Sequence, residues 1–511
     1  MNKKWWLILG LIVGISLFLR LWRLEELFYF THDEETIVWR VMPLLRDKDL
    51  FLLGGVTPFH VHLGPWFYYL SAAILALSKL NPLGWGVAAA ILGAITTVTL
   101  GLVAASFYDR RTGLIGSFLY ATSFLIIVFD RHWWPLVFNP LLSLIVIYSL
   151  AKLSQKKYQF VLPLSIAIAF GIHTDPSLWA LALLIPVVWL KYKLSIKNKS
   201  SIIGAAIVLV SFVPLIAFDV ANAGTNVRGL AQYFAETANT RGANLDRFIW
   251  SFLYIPKTLG RLLVESNTEL TRLYSYCAQH RWMRIEDTAP LMTLIATGIL
   301  AFFLIRKKKK PIDWIISAYI IIIFLGITIY GTFFGSDLFD HYVATLFPLF
   351  IIMTALVINK IWQWRRIMAI GLMSAFVILN LKTLMKATNQ QGWHIKQTAV
   401  TWAKNELQGA PFALESLSSC FRYNGIRYLF TLEDHEPKMS FVDPNFFWLY
   451  SEPPSTEYPD TLVLFATPEE LSPVDAARYQ EFVTSNPKRQ QFGALEVLIV
   501  PNSNHRFLID F

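Results

Sequence analysis

From its first residues to about residue 385 the chain alternates long apolar runs with short polar connections. The runs lie at about 5–24, 65–80, 84–107, 113–129, 135–151, 159–172, 176–190, 201–219, 290–305, 312–334, 341–359 and 367–385. Segments such as "AAILGAITTVTLGLVAASF" and "IISAYIIIIFLGITIYGTFF" reach or approach the roughly 20 apolar residues that cross a bilayer. In lipid, a run of this kind satisfies its own backbone only as a helix. The pattern therefore predicts an all-α polytopic membrane helix bundle.

After residue 386 the pattern changes. "WHIKQTAVTWAKNELQ" is amphipathic at helical spacing, while "PFALESL", "TLVLFAT" and "GALEVLIVP" are β-rich. "TPEELSPVDAARYQEFVTSN" opens on a helix-capping pattern, Thr467 followed by Glu470. The division predicts a membrane domain over 1–386, with outer loops 25–83 and 220–289, and a small extracytoplasmic α/β domain over 387–511. No internal repeat or low-complexity segment is found.

The connections fall into two sets. "NKK", "YDRRTG", "KLSQKKY", "KYKLSIKNKS", "RKKKK" and "KIWQWRR" are basic. "DRHWWP", "GIHTDP", the segment 220–289, "GSDLFDH" and the tail are not. The positive-inside rule assigns the basic set to the cytoplasm. Strict alternation then requires 65–80, which opens on Pro65 and carries Lys79, to be an interfacial or re-entrant helix on the outer side. About eleven spanning helices follow, with the N-terminus cytoplasmic and the tail outside. A count of twelve would put "YDRRTG" on the wrong side. The first run lacks a small-residue cleavage site, since Arg20, Leu21, Trp22 and Arg23 follow it, and reads as a retained helix.

Composition agrees. Of 511 residues 55% are hydrophobic and 16% charged, with mean hydropathy +0.47, against about 25% charged in soluble domains. The net charge of +10 is uneven. Residues 387–511 carry nine Lys and Arg against fifteen Asp and Glu, a net −6, so the remainder carries +16. A basic membrane part with an acidic tail points to loops facing opposite sides of a membrane and does not suggest a nucleic-acid partner. Cys277 and Cys420, the only two cysteines, are too few for a disulfide framework or a thiolate metal site; they read as free thiols, with a single bridge as the alternative.

Chemistry gathers on the predicted outer side, where all ten histidines fall. Asp33 and Glu34 follow His32 at the outer end of the first helix, in "FYFTHDEETIVWR", and their loop continues through His60 and His62 to Trp66 in "TPFHVHLGPWFYY". "DRHWWPLVFNP" adds Arg131 and Asn139, "GIHTDP" adds His173, and "HY" adds His341 and Tyr342. Each alone has a structural alternative: solvated helix ends, an aromatic belt, a snorkelling arginine. Their convergence on one face is the functional signal. His60 and His62 could share a metal on an extended strand. No Walker loop, HExxH or GxSxG occurs. A transporter or lipid flippase is the alternative class, but it would place ionisable groups near the membrane midplane and commonly show repeats.

The order of a first membrane helix, "HDEE", a His/Pro turn into "GPWFYY", an outer "R..W....NP" cluster and a helix led by "HY.....FP" resembles the GT-C membrane glycosyltransferases. These include protein O-mannosyltransferases of glycosyltransferase family 39, aminoarabinose transferases of lipid A and bacterial RgtA/B/C/D-like enzymes. The resemblance covers about residues 5–385. It implies sugar transfer at the outer face of the plasma (inner) membrane, from a polyprenyl-phosphate sugar to a hydroxyl on a protein, lipid or envelope glycan. It maps Asp33 onto the acid that contacts the acceptor and Glu34 onto its partner. Where aminoarabinose transferases carry Lys-Pro-Pro-Leu this chain has "HLGPW", and where they carry a second Asp before Pro it has Asn139-Pro140. Both departures fit the looser bacterial group.

The chemistry of such a transfer needs a base for the acceptor hydroxyl and cations for the departing phosphate. The sequence assigns the first to Asp33 and the second to Arg131, His173 and His62. His32, His60, Trp66, Asn139, His341 and Tyr342 are candidate sugar or acceptor contacts. The donor lipid is a substrate; no cofactor or metal is implied, and a divalent metal is compatible. Glu35, a third acid with no counterpart in the pair, is expected to tolerate Gln.

The topology is testable with an impermeant thiol reagent on intact cells lacking Cys277 and Cys420. Thr112→Cys should stay unlabelled and Ser336→Cys should label; labelling at 112 would mean that 65–80 spans.

Overall fold

The computed structural model describes residues 2–57, 60–175, 178–238, 244–270, 290–307, 310–334, 338–418, 425–443, 457–507 and 509. Cys277, Cys420 and Ser336 lie outside the described residues, and so does the expectation of free thiols.

Helix α1 (Lys3–Leu21) is capped by Asn2, whose side chain accepts the Trp5 amide at 3.1 Å. A single turn, α2 (Leu24–Leu27), and an extended stretch lead into α3 (His32–Asp47). Helix α4 (Trp66–Leu77) has 12 residues. At 1.5 Å per residue it is about 18 Å long, short of the ~30 Å hydrocarbon core. It packs between α3 and α5 (Leu83–Phe107).

The predicted span 113–129 is two helices, α6 (Arg110–Thr122) and α7 (Phe124–Phe129), broken at the extended residue Ser123. In lipid such a break must find its hydrogen bonds within the protein. It does: the Phe124 amide donates to Asn380 Oδ1 at 2.8 Å and the Ser123 hydroxyl to the Leu262 carbonyl at 2.8 Å. All six residues of α7 are buried.

There follow α8 (Asn139–Leu153), α9 (Val161–Ile172), α10 (Trp179–Ala182) and α11 (Leu184–Lys191). Then come α12 (Lys199–Ser211) and α13 (Val213–Ala221), which meet at a 41° bend just before Pro214. Proline lacks the N–H that would continue the ladder. The segment 220–289, expected to be a long loop, holds α14 (Thr225–Ala238) and α15 (Leu245–Leu263) among its described residues. The bundle ends with α16 (Pro290–Ile305), α17 (Pro311–Phe333), α18 (Phe347–Trp364) and α19 (Arg366–Lys386).

By length and composition six described helices suit a bilayer: α1, α5, Pro135–Leu153, α17, Asp340–Trp364 and α19; the bent α12–α13 pair makes a seventh. The expected count of about eleven is not confirmed among the described residues. The runs at 113–129, 159–172, 176–190 and 290–305 form broken or shorter helices, because apolarity alone carries no record of a mid-run break such as that at Ser123. The chain is a multi-pass membrane protein all the same.

The C-terminal part begins with α20 (Trp393–Leu407) and β1 (Ala413–Leu417), followed by α21 (Ile426–Leu432), β2 (Met439–Ser440) and β3 (Thr461–Ala466). It closes with α22 (Pro473–Thr484), β4 (Lys488–Phe492) and β5 (Leu495–Pro501). The sheet order is β2-β1-β3-β5-β4, with β1 parallel to β2 and β3, and β5 antiparallel to β3 and β4. The predicted capping pattern at Thr467 opens only a short 3-10 turn; α22 starts later, where Ser472 accepts the Asp475 amide and Pro473 suits the first helical position.

One ion pair fixes α1 inside the bundle. Arg20 Nε and Nη2 donate to Asp130 Oδ2 at 2.9 and 2.6 Å, and both residues are buried. A Cβ on Gly93 of α5 would sit 2.3 Å from Arg20 Nε and 2.4 Å from Asp130 Oδ2, so only glycine lets the pair pass.

Two expectations follow. Thr112 is buried, with Asn359 Nδ2 donating to its Oγ1 at 2.9 Å. Silence of a cysteine there reports burial as much as sidedness. Lys156→Cys, at an exposed position in the same basic set, gives the cleaner test and should stay unlabelled. Asp130→Ala should destabilise the purified protein by about 3–5 kcal/mol in thermal or denaturant unfolding, because it strands a buried guanidinium. Arg20→Met with Asp130→Leu should recover most of that loss. A neutral Asp130→Ala would show that the pair does not anchor α1.

Candidate active site

The site grows from the way α1 ends. Arg131 Nε donates to the Arg20 carbonyl at 2.9 Å, and its Nη2 donates to Leu19 and Trp22 at 2.7 and 2.6 Å. A helix C-terminus exposes unpaired carbonyls with partial negative charge, which a buried guanidinium satisfies. The chain then turns through Arg23 at φ 53° and Phe30 at φ 46°. A left-handed phenylalanine is strained and persists only where its surroundings hold it.

Helix α3 starts at once. Its first turn holds Asp33, Glu34 and Glu35, acids at the positive end of the helix dipole. Glu34 Oε2 accepts the Thr31 amide at 2.8 Å and the Thr31 hydroxyl at 3.1 Å, the reciprocal arm of a capping box.

His132 is the centre of the arrangement. Its Nε2 lies 3.4 Å from Asp33 Oδ2 and its Nδ1 3.2 Å from Glu34 Oε1, the latter a charge contact and not an aligned hydrogen bond. Burial disfavours the charged ring, but Glu34 and Asp33 together outweigh it and hold the imidazole above its ordinary 6.5. The two acids differ in access: the Asp33 side chain is 32% exposed and that of Glu34 0%. Tyr29 and Trp134 meet the His132 ring edge-on at 5.3 and 4.2 Å. Trp134 in turn contacts His341 at 4.8 Å, and His341 packs on Tyr342 at 4.8 Å and Phe339 at 5.3 Å.

The other predicted residues divide. Asp33, Glu34, His341 and Tyr342 gather around His132 and Trp134, and His32 is the first residue of α3. Asn139 Nδ2 donates to Asp175 Oδ1 at 3.3 Å, in a neighbouring cluster. His173 is buried so close to Gly64 that a Cβ there would lie 1.6 Å from Nδ1, and its ring lies near the Ser211 backbone; burial holds it below its ordinary 6.5. His62 is tied down: its amide and Nδ1 both meet Asn226 Oδ1, at 2.8 and 2.9 Å. His60 is exposed 4.0 Å from Glu236, and Trp66 is half exposed at the start of α4. The two histidines thus face different partners. Among the described residues no group of three His, Cys, Asp or Glu is placed to hold a metal. Arg131 is placed differently from the rest: Nε and Nη2 of its buried guanidinium cap α1, and Nη1 has no hydrogen-bond partner among the described residues.

Sequence reasoning missed His132, although it stood in the "DRHWWP" cluster, and missed α15. Arg261 Nη1 donates to Asp340 Oδ2 at 2.5 Å, Thr258 Oγ1 donates to Oδ1 at 3.0 Å, and Arg261 also pairs with Glu265. Asp340 directly precedes His341, so α15 borders the site. One turn earlier Lys257 is buried, and its Nζ has no partner among the described residues; burial draws it down to about 8. Cations at i and i+4 in "KTLGR" were the available signal.

No protein-family model matches the chain, and no curated protein sequence matches it. Solved structures do. ArnT from Cupriavidus metallidurans, solved bound to undecaprenyl phosphate, superposes with a TM-score of 0.57 at 10% identity, over 98% of each chain. The oligosaccharyltransferase AglB from Archaeoglobus fulgidus, solved with an inhibitory peptide and a dolichol-phosphate, gives 0.46 at 12% identity, over 89% of this chain and 61% of its own. At 10% identity the likeness to ArnT concerns the fold alone.

His132 provides a test independent of any reaction. Its folded value is raised above 6.5, so its stabilising contribution is complete below pH 6.5 and is lost as pH rises through the raised value. Asp33→Asn with Glu34→Gln leaves only the burial term, and His132 should then titrate below 6.5 by histidine NMR. An unchanged titration would break the proposed grouping.

Proposed function

We propose that the protein is an integral membrane glycosyltransferase, moving a sugar from a polyprenyl-phosphate-linked donor to an acceptor hydroxyl at the outer face of the plasma membrane. The observation that carries this reading is the asymmetry of the acid pair. Glu34 is buried in the helix cap, Asp33 opens to solvent beside it, and His132 touches both. An exposed carboxylate held by a buried imidazole is suited to accept a proton at a fixed place. The GT-C fold supports the donor class, since ArnT was solved with undecaprenyl phosphate.

In this mechanism the acceptor O–H gives its proton to Asp33. The oxygen forms a bond to the anomeric carbon, and the C–O bond to phosphate breaks with its electron pair leaving on the phosphate. Attack and departure on opposite faces invert the anomeric centre. His132 holds Asp33 in place, and Glu34 holds His132 from its other ring nitrogen. For the leaving phosphate, Lys257 is the best-supported cation because its ammonium is buried without a partner among the described residues; His173, kept neutral by burial, offers a ring N–H donor at most. His341, Tyr342 and Trp134 supply an aromatic wall for the sugar.

Asp33→Asn should lower turnover by about 10²–10⁴-fold, the usual contribution of a general base, with donor binding retained. Lys257→Met should instead weaken binding of polyprenyl phosphate. The assay follows release of polyprenyl phosphate from a panel of lipid-linked sugars by purified protein. Near-normal turnover of Asp33→Asn would sink the assignment.

A further inference from the structure

The acid of the "HDEE" stretch that the proposed reaction does not use is the one most firmly built in. Glu35 is fully buried, and it bonds across to the C-terminal part of the chain. Its Oε2 accepts the Gly425 amide at 2.8 Å and its Oε1 the Tyr428 amide at 3.2 Å, both at the start of α21. The expectation that Glu35 tolerates Gln therefore fails on geometry. A carboxylate offers two acceptors to two amides, whereas a carboxamide turns an N–H₂ donor onto one of them.

A second contact grips the same stretch. Lys396 of α20 is buried and donates from Nζ to the Phe30 carbonyl at 2.7 Å. That carbonyl belongs to the left-handed residue just before the cap of α3. Around these two bonds the contacts continue. The Trp393 amide donates to the Phe28 carbonyl at 2.9 Å, and the Phe30 ring meets Trp393 at 5.2 Å and Tyr428 at 6.0 Å. Tyr428 also meets Trp39 of α3 at 5.7 Å, and its hydroxyl donates to the Leu80 carbonyl at 2.7 Å. At Gly425, φ 86°, a Cβ would lie 2.7 Å from the Phe30 ring.

From these contacts we infer that the C-terminal α/β part positions the proposed base: Glu35 and Lys396 form a two-point latch that holds Phe30–Glu35, and thereby Asp33, in its working place. The inference rests on the catalytic reading of Asp33. Glu35 and Lys396 are positioning residues, since neither faces the open side of Asp33. The latch grips one side of the α3 head while His132 grips the other.

The logic is energetic. A left-handed phenylalanine is unfavourable alone, and so is a carboxylate buried as fully as that of Glu35. They persist because buried partners over-determine them. Burial draws Lys396 down to about 8, and Glu34 and then Glu35 oppose that shift, which explains why the lysine remains inside. Releasing either point frees the turn to relax.

The test uses full-length protein in lipid nanodiscs with Glu35→Gln and, separately, Lys396→Met. Two readouts run together: amide exchange over residues 29–36, and kcat and KM for sugar transfer. We expect faster exchange there in both variants and a loss of up to about 10²-fold in kcat, the scale of a displacement of about 1 Å at a reacting group. KM for the lipid-linked donor should change little, and melting should stay cooperative. Unchanged exchange in both variants would overturn the latch. Faster exchange with wild-type kcat would overturn its positioning role. A wild-type protein inert on every lipid-linked sugar, with exchange still accelerated in the variants, would instead overturn the catalytic reading and leave the latch standing.

Discussion

The arrangement depends on where charge is allowed inside an apolar bundle. Two guanidiniums, Arg20 and Arg131, are buried where α1 ends, with one carboxylate, Asp130, between them in sequence. Taking an ion from water into such surroundings costs several kcal/mol unless it is compensated. Asp130 compensates Arg20. The terminal carbonyls of α1 compensate Arg131. That second solution works only if α1 stops at that point. The cation therefore dictates the end of the helix, the turn after it, and the place where α3 begins.

The run of three acids then has a geometric reading. Successive residues of a helix point about 100° apart, so adjacent acids at its head must face three environments. Asp33 faces the open side, Glu34 turns back into the cap and against His132, and Glu35 enters the C-terminal part. One residue type thus performs three jobs, distinguished only by direction and burial. A shift of one residue in the start of α3 would exchange all three roles, so the cap at Thr31 is as consequential as the acids themselves.

Some of this was legible in the sequence. Apolar periodicity located the bundle, the α/β tail and its three central strands, and the clustering of polar residues at one end led to Asp33 and Glu34. Edge strands β2 and β4 were missed because one is two residues long and the other reads "KRQQF", with no apolar face to announce it. The break at Ser123 was missed because its compensation comes from Asn380, far along the chain. Arg131 was read from its residue type as a phosphate ligand; the carbonyls that take its Nε and Nη2 carry no sequence signature. His132 and Glu35 share the opposite lesson: each lies within a noticed motif, and only three-dimensional neighbours reveal its contacts; Lys257 lay in a segment read as loop.

The interface between bundle and sheet has a consequence for how such chains can recombine. The C-terminal part looks like an interchangeable module, joined by one peptide connection after α19. Yet its contact residues are answered by Phe28, Phe30, Glu35 and Trp39 in the first loop. A transplanted tail that lacked a lysine at the place of Lys396, or a Gly-led turn like that at Gly425, would leave the loop without its mould. Grafts between homologues should therefore inherit the tail and the first loop together, as one cassette split across the two ends of the sequence.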